Sequence, residues 1–243
     1  MISVVGAGVS LPLDVEPYGP KDSEYAAGQR LLRRALSAVG PRFADYLVVD
    51  AEYATSTFLH VTAEGGWPVI ARLKDTLPEL AAKVKRRFHG QPPQQVLPEG
   101  ADRLEFWDEE DFPPWETWQW ERVRVLRYRP QRGDGTVVEA EWLTNLSKRT
   151  VPSLSLYRRA RSRGEIENEG FNDCKSRPGL EHICPHHTNS LLLCWLLTLL
   201  ALVMGRLYRI RFLHRGKHAL TSAIELVRRL WLALVPTPRC RSA

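Results

Sequence analysis

The stretch RSRGEIENEGFNDCK, residues 161–175, places one carboxylate, Glu167, between two cations. Arg163 lies four residues before Glu167, and Lys175 lies eight residues after it. Because a helix turns by about 100° per residue, Arg163, Glu167 and Phe171 share one face and Lys175 lies near its edge. A carboxylate flanked by cations suits a site that holds a metal ion and binds a phosphate. The alternative is an exposed helix whose charges pair at i,i+4 spacing, each pair worth about 0.2–0.5 kcal/mol.

A second informative block lies upstream, where a short apolar strand ends in an acid. Residues 46–50 read YLVVD and place Asp50 at the carboxyl end of the strand. Sheets with helical crossovers place their ligands at such ends. The alternative is that Asp50 caps the following helix, and the residues alone leave both interpretations open. The next predicted strand, residues 68–73, brings Arg72 and Lys74 to its exit.

These two blocks resemble the catalytic domain of bacterial insertion-sequence transposases of the DDE class, which has a ribonuclease-H-like fold. The first block, with the Leu-Glu-His of residues 180–182 after it, is similar to the segment that carries the family's last metal-binding glutamate. The second block is similar to the strand that carries the family's second aspartate, with the helix and basic strand that follow. Together the matches extend over most of residues 1–205.

The resemblance implies a transposase that cleaves DNA strands and joins them to target DNA in a reaction that depends on Mg²⁺ or Mn²⁺. Asp50 and Glu167 would then be catalytic and would bind a pair of metal ions. The implied DNA contacts come from five basic residues: Arg72, Lys74, Arg161, Arg163 and Lys175. The partners would be transposon ends and target DNA, together with a homo-oligomer or an intact transposase. A cytoplasmic location and no membrane contact follow from the same resemblance.

Three features depart from the family pattern. The family's first aspartate lies on a strand before the hairpin that opens this chain, and no residue here occupies that place. An amino-terminal DNA-binding region is absent, and Gly164 stands where relatives usually have a tryptophan. We therefore expect an incomplete copy with little cleavage activity of its own. The alternative is a non-catalytic DNA-binding remnant, or an inhibitor of an intact transposase.

Charge is distributed unevenly along the 243 residues. Residues 1–121 contain 12 basic and 19 acidic residues, whereas residues 122–243 contain 22 basic and 9 acidic residues. A basic half suits a polyanion such as DNA or an anionic membrane surface, although basic surfaces also occur without either. The four cysteines form no CxxC pair, and with no secretory leader we expect reduced cytosolic thiols.

The predicted fold class is α/β, a ribonuclease-H-like mixed sheet flanked by helices. Residues 1–88 should form the first part of this core, with a hairpin, a helix, a strand, a helix, a strand and a helix in that order. Residues 89–150 should form a loop- and strand-rich insertion before Glu167, and its aromatic residues should pack onto the insertion's own strands. Residues 151–213 should complete the core with helices, followed by an amphipathic helix and tail over 214–243.

Two further segments call for a choice of interpretation. His182, Cys184, His186 and His187 lack the paired spacing of a structural zinc site, so we expect the histidines to pack or orient the site instead. Residues 191–204 form an apolar run of 14, shorter than the roughly 20 residues that span a bilayer. We expect this run to be a buried core helix, and the alternative is a membrane anchor over residues 191–213.

Overall fold

The computed structural model describes residues 1–6, 9–74, 76–99, 102–113, 120, 122–131, 138–165, 187–213, 228 and 231. Glu167, Lys175 and most of the predicted histidine cluster lie outside the described residues, as does nearly all of the predicted helix in 214–243. The chain divides into two compact units, Met1–Asp173 and Cys174–Ala243, and each is described by itself.

Unit 1 is a mixed α/β structure, which confirms the predicted class. An antiparallel pair, β1 (Ile2–Gly6) and β2 (Val9–Asp14), forms a separate two-stranded sheet. A six-stranded sheet contains β3 (Leu47–Val49), β4 (Val69–Leu73), β5 (Gln95–Glu99), β6 (Asp102–Phe112), β7 (Val123–Gln131) and β8 (Ala140–Thr144). Its order is β3-β4-β8-β7-β6-β5, with β3 and β4 parallel and every other pair antiparallel.

The segment predicted as an insertion supplies four of the six strands of this sheet. Pairing of β8 with β4 joins it directly to the strands before it, with Arg72 opposite Trp142. The expected strands of this segment are observed: β5 pairs with β6, and β7 pairs with β8, both antiparallel.

Helices α1 (Glu24–Val39), α2 (Ser56–Glu64) and α3 (Pro78–Phe88) follow the predicted order of helices and strands. At the start of α1, Ser23 accepts a hydrogen bond from the amide of Ala26 at 3.1 Å, as an N-cap should. At its end, Gly40 has φ +76°, a left-handed conformation that glycine adopts without a Cβ clash. Two later helices are described in this unit, α4 (Ser153–Arg161) and the single turn α5 (Arg163–Glu165).

Each face of the six-stranded sheet carries its own apolar cluster. On one face, α2 and α3 pack with Phe58 and Val84 against Val69 and the neighbouring strands. On the other face, α4 packs with Leu156 and its neighbours against Ile70, Leu126 and Trp142. Successive residues of β4 therefore point to opposite clusters, and the strand is buried on both faces, as a parallel strand between helices should be.

A buried ion pair connects β6, β7 and the loop that leads to α4. Arg124 and Asp108 have side chains only 1% and 4% exposed, and the carboxylate accepts from Nε at 2.8 Å and from Nη2 at 2.6 Å. The Nη1 of Arg124 donates to the carbonyl oxygens of Val151 at 2.7 Å and Leu146 at 3.2 Å. Ser153 adds a donor to Asp108 at 2.6 Å. The guanidinium is thus fully paired, which is the condition under which a buried charge is tolerated.

The described part of unit 2 consists mainly of one apolar helix, α6 (Thr188–Tyr208), continued by a π-helical turn, Arg209–Leu213. The helix has 21 residues and extends beyond the apolar run of 14 residues at both ends. Among the described side chains of this helix Leu199 alone is buried. Large apolar side chains such as Leu193 and Met204 are 58% and 63% exposed, so the predicted burial is not observed. By length and composition, residues 189–212 can cross a membrane, and an 18-residue window within them has a mean hydropathy of 2.1.

Candidate functional site

Asp50 directly follows β3, at the carboxyl end of a parallel strand, as predicted. Its Oδ1 accepts a hydrogen bond from the amide of Ala51 at 2.7 Å, and the carboxylate thereby caps the short 3₁₀ helix Ala51–Tyr53. The capping alternative is therefore observed, although the capped element is this turn and not α2, whose N-cap is Thr55. Only one of the two carboxylate oxygens is used in this way.

The second oxygen of Asp50 faces Arg163, a residue 113 positions later in the chain. Nη2 of Arg163 lies 3.2 Å from Oδ2 of Asp50, and the two side chains are 24% and 37% exposed. This contact joins the two blocks that the sequence singled out independently. Since both groups keep access to solvent, the pair is open to exchange with a metal ion or a phosphate.

Arg72 lies beside this pair on the neighbouring strand. The parallel register pairs Val49 with Ala71, so Asp50 and Arg72 occupy the next position along the two strands. Alternation along β4 puts Arg72 on the face of Ile70, which packs with α4, and Arg163 lies two residues beyond the end of α4. Beyond the strand, the hydroxyl of Thr76 donates to the carbonyl oxygen of Ala51 at 3.1 Å and ties this loop to the turn after Asp50.

The remaining predicted DNA contacts are placed less closely together. Lys74 is exposed just beyond β4. Arg161 is exposed at the end of α4, where its Nη1 donates to the hydroxyl of Tyr157 at 2.8 Å. Glu167 and Lys175 lie outside the described residues. Of the seven predicted site residues, Asp50 and Arg163 are in contact, and Arg72 lies on the strand next to the one that Asp50 follows.

Arg159 is a neighbouring basic residue that the sequence analysis did not single out. Its guanidinium lies 4.8 Å from the ring centre of Tyr46, the residue before β3. Arg159 and Arg163 are about one helical turn apart and reach the two ends of the same strand. The signal available beforehand was the spacing of arginines in residues 158–163.

The Asp50 carboxylate and the arginines near it offer ligands for one hard cation and one anion. A carboxylate oxygen such as Oδ2 of Asp50 is the donor that Mg²⁺ prefers, and guanidinium groups are suited to phosphate. Within the described residues, no group of three or more His, Cys, Asp or Glu side chains converges on one point. Asp50 is accordingly the one predicted metal ligand whose surroundings can be described, and the second, Glu167, follows α5 in the chain.

Comparison with known proteins adds no family assignment. No family model matches the chain, and no curated protein matches it.

Proposed function

We propose that this chain is a DDE-type transposase polypeptide that binds DNA around Asp50, with a ribonuclease-H-like arrangement of its sheet. The observation that supports this function best is the contact between Asp50 and Arg163, which come from the two separate blocks of the resemblance. Arg72, on the strand adjacent to β3, is a second cation in this part of the sheet. A carboxylate and two guanidinium groups at one sheet edge suit a metal-bound phosphodiester.

In this proposal the side chains have separate roles. Asp50 and Glu167 would hold the metal, while Arg163, Arg72 and Lys175 would contact phosphate oxygens. Divalent ions bound there would activate the attacking oxygen and stabilise the leaving one. Water would attack phosphorus as the bond to the 3′ oxygen breaks, so that a 3′-OH forms and can later attack target DNA.

The ion pair between Asp50 and Arg163 links metal binding to DNA binding in this proposal. Because Oδ2 of Asp50 faces the Arg163 guanidinium, a cation held by that oxygen would compete with the guanidinium, and Arg163 would then contact a phosphate oxygen instead. Metal binding and DNA binding should therefore strengthen each other, since each one removes a competitor of the other.

Fluorescence anisotropy with a labelled DNA duplex tests this coupling. We expect Mg²⁺ to tighten DNA binding by the wild-type chain and to have no such effect on Asp50→Asn. Arg163→Gln should weaken binding at every Mg²⁺ concentration. Arg33→Gln is the matched control, because Arg33 is exposed on α1 and has no hydrogen bond or ion pair within the described residues. Equal binding by wild type, Asp50→Asn and Arg163→Gln would exclude this site.

Cleavage of the same duplex distinguishes the enzyme from a non-catalytic DNA-binding protein. We expect little cleavage from this chain, because the family's first aspartate has no counterpart in it. Mg²⁺-dependent cleavage that is lost in both Asp50→Asn and Glu167→Gln would show an active enzyme whose missing carboxylate is supplied from elsewhere in the chain. DNA binding without cleavage by the wild-type chain supports the non-catalytic remnant or inhibitor instead.

Membrane attachment is a second candidate function, supported by a different observation. Helix α6 exposes most of its apolar side chains, and Arg206, Arg209 and Arg211 follow its apolar run, as cations often do at a membrane surface. Fractionation of cells that express the full chain tests it. A chain that stays with the membrane after an alkaline carbonate wash is inserted, and a chain that is released is not.

A further inference from the structure

A cavity of about 740 Å³ lies at one end of the six-stranded sheet. Residues before β4, at the end of β6, at the start of β7 and after β8 line it, among them Trp67, Glu110, Arg122, Arg124, Asn145 and Arg149. Asp50 follows the last residue of β3, and the parallel strand β4 begins at the cavity. The cavity is therefore at the opposite end of these strands from Asp50.

The arginines that line the cavity differ in whether their charge is already paired. Arg124 is held by Asp108 and two backbone carbonyl groups, so its charge is already balanced. Arg122 and Arg149 are exposed, and neither has a hydrogen bond or an ion pair within the residues that the structure describes. Two guanidinium groups that border one concave surface suit a phosphate, because each offers several N–H donors in a planar fork.

One carboxylate lines the same cavity and narrows the choice of ligand. Oε2 of Glu110 accepts from the amide of Lys148 at 2.6 Å, which fixes the orientation of the side chain and leaves Oε1 for a ligand. A carboxylate repels a bare phosphate but accepts a hydrogen bond from an amino group. The favoured ligand therefore carries a phosphate at one end and an amino donor at the other.

We propose that this cavity binds a nucleoside phosphate. Arg122 and Arg149 hold the phosphate, and Glu110 accepts a hydrogen bond from the exocyclic amino group of the base, as acidic side chains do from cytosine. The cavity volume is within the range of about 300–1,000 Å³ that small-molecule sites occupy. This site is independent of Asp50 and of the metal chemistry proposed there.

Isothermal titration calorimetry of the full chain without divalent ions tests the proposal, with deoxycytidine monophosphate as the probe. We expect saturable binding that weakens about tenfold or more in the double variant Arg122→Gln, Arg149→Gln, because a hydrogen bond to a charged group is lost at each position. Thymidine monophosphate lacks the amino group and should bind more weakly than deoxycytidine monophosphate. Glu110→Gln should reduce this preference.

The controls separate the cavity from the Asp50 site and from general effects on folding. Asp50→Asn and Arg33→Gln should bind deoxycytidine monophosphate as the wild type does, and circular dichroism melting should show every variant folded. Absence of saturable binding would overturn the proposal. So would equal affinity for deoxycytidine and its monophosphate, or wild-type affinity in the double arginine variant.

Competition identifies the source of the ligand. A short single-stranded oligonucleotide that begins with a 5′-phosphorylated cytidine displaces the mononucleotide if the cavity takes a strand end. If the oligonucleotide does not compete, the ligand is a free nucleotide.

Discussion

Arg124 shows at the scale of one residue how a charge is kept inside this sheet. Removal of the guanidinium in Arg124→Met leaves Asp108 buried without its main partner. We expect the free energy of unfolding to fall by about 3–5 kcal/mol, which is the usual cost of breaking a buried pair from one side. Urea unfolding followed by circular dichroism measures this loss.

The double variant Arg124→Met, Asp108→Leu is the control for that experiment. When both charges are replaced by apolar groups, little or none of the desolvation cost remains, so the double variant should be more stable than Arg124→Met alone. If the loss in free energy of unfolding of the double variant equalled the sum of the losses of the two single variants, the two residues would not act as a pair.

Glu16 provides a test of pH dependence. Hydrogen bonds from Arg34 at 2.5 Å and Arg30 at 2.8 Å lower the pKa of Glu16 below its ordinary value of 4.5. Because the folded-state pKa is the lower one, the stabilisation is complete above about pH 4.5 and is lost as the pH falls through the folded-state pKa.

We expect the melting temperature to decrease below pH 4.5, and Glu16→Gln to show a smaller decrease over the same range. Glu79→Gln is the control, since Glu79 is exposed in the first turn of α3 and has no ion pair within the described residues. Identical pH profiles for wild type and Glu16→Gln would contradict this role of the carboxylate.

The sequence predicted part of the candidate site at this scale. Asp50 was recognisable because an acid follows an apolar run of strand length, and Arg163 because it precedes Glu167 by one helical turn. Their mutual contact was not predictable from spacing, since it depends on how α4 crosses the sheet. Arg159 was missed for the same reason, as its contact with Tyr46 joins positions 113 residues apart.

At the scale of elements, α1 lies so close to the turn after Asp50 that a side chain cannot be added between them. A Cβ on Gly28 would lie 2.5 Å from Cε1 of Tyr53. Tyr53 cannot simply move away, because its hydroxyl donates to Glu24 at 3.0 Å and its ring packs against Phe58. Gly28→Ala should therefore lower the free energy of unfolding by about 1–3 kcal/mol.

Gly19→Ala is the matched control for this substitution, because a Cβ at Gly19 meets nothing within 4 Å. Thermal unfolding of both variants distinguishes a packing effect from a general effect of alanine. If Gly28→Ala were as stable as the wild type, the close approach of α1 to Tyr53 would be wrong.

The elements that were predicted well are those with local signals. Ser23 and Gly40 mark the two ends of α1, and apolar residues that recur every three to four positions mark its buried face. Strand β6 lacked such signals, because its sequence is rich in acids. Those acids are balanced by arginines of β7, with Glu105 2.9 Å from Arg129, and cross-strand pairs of this kind appear only after the register is known.

Helix α6 shows what the composition of a sequence segment cannot predict. Its apolar composition was evident, but composition alone does not say whether such a helix is covered by protein or by lipid. Because the apolar run has only 14 residues, we expected a buried core helix. The observed helix extends beyond that run at both ends.

For the whole molecule, the uneven charge predicts how DNA binding should respond to salt. Each phosphate that a cation contacts contributes about 0.9 to the slope of log affinity against log salt concentration. We expect the double variant Arg72→Gln, Arg163→Gln to reduce this slope by about 2, with Arg33→Gln unchanged. Anisotropy titrations from 50 to about 200 mM salt measure it. An unchanged slope in the double variant would show that neither arginine contacts phosphate.

The position of β3 at the border of the sheet has a consequence for handling the protein. Within the described residues β3 pairs as a strand with β4 alone, so the main-chain amide and carbonyl groups along its outer side are not used by a neighbouring strand. Such a border is a template on which another polypeptide segment can add itself by backbone pairing. Concentrated solutions should therefore be prone to self-association through residues 47–49, and a proline placed at Val48 should suppress it.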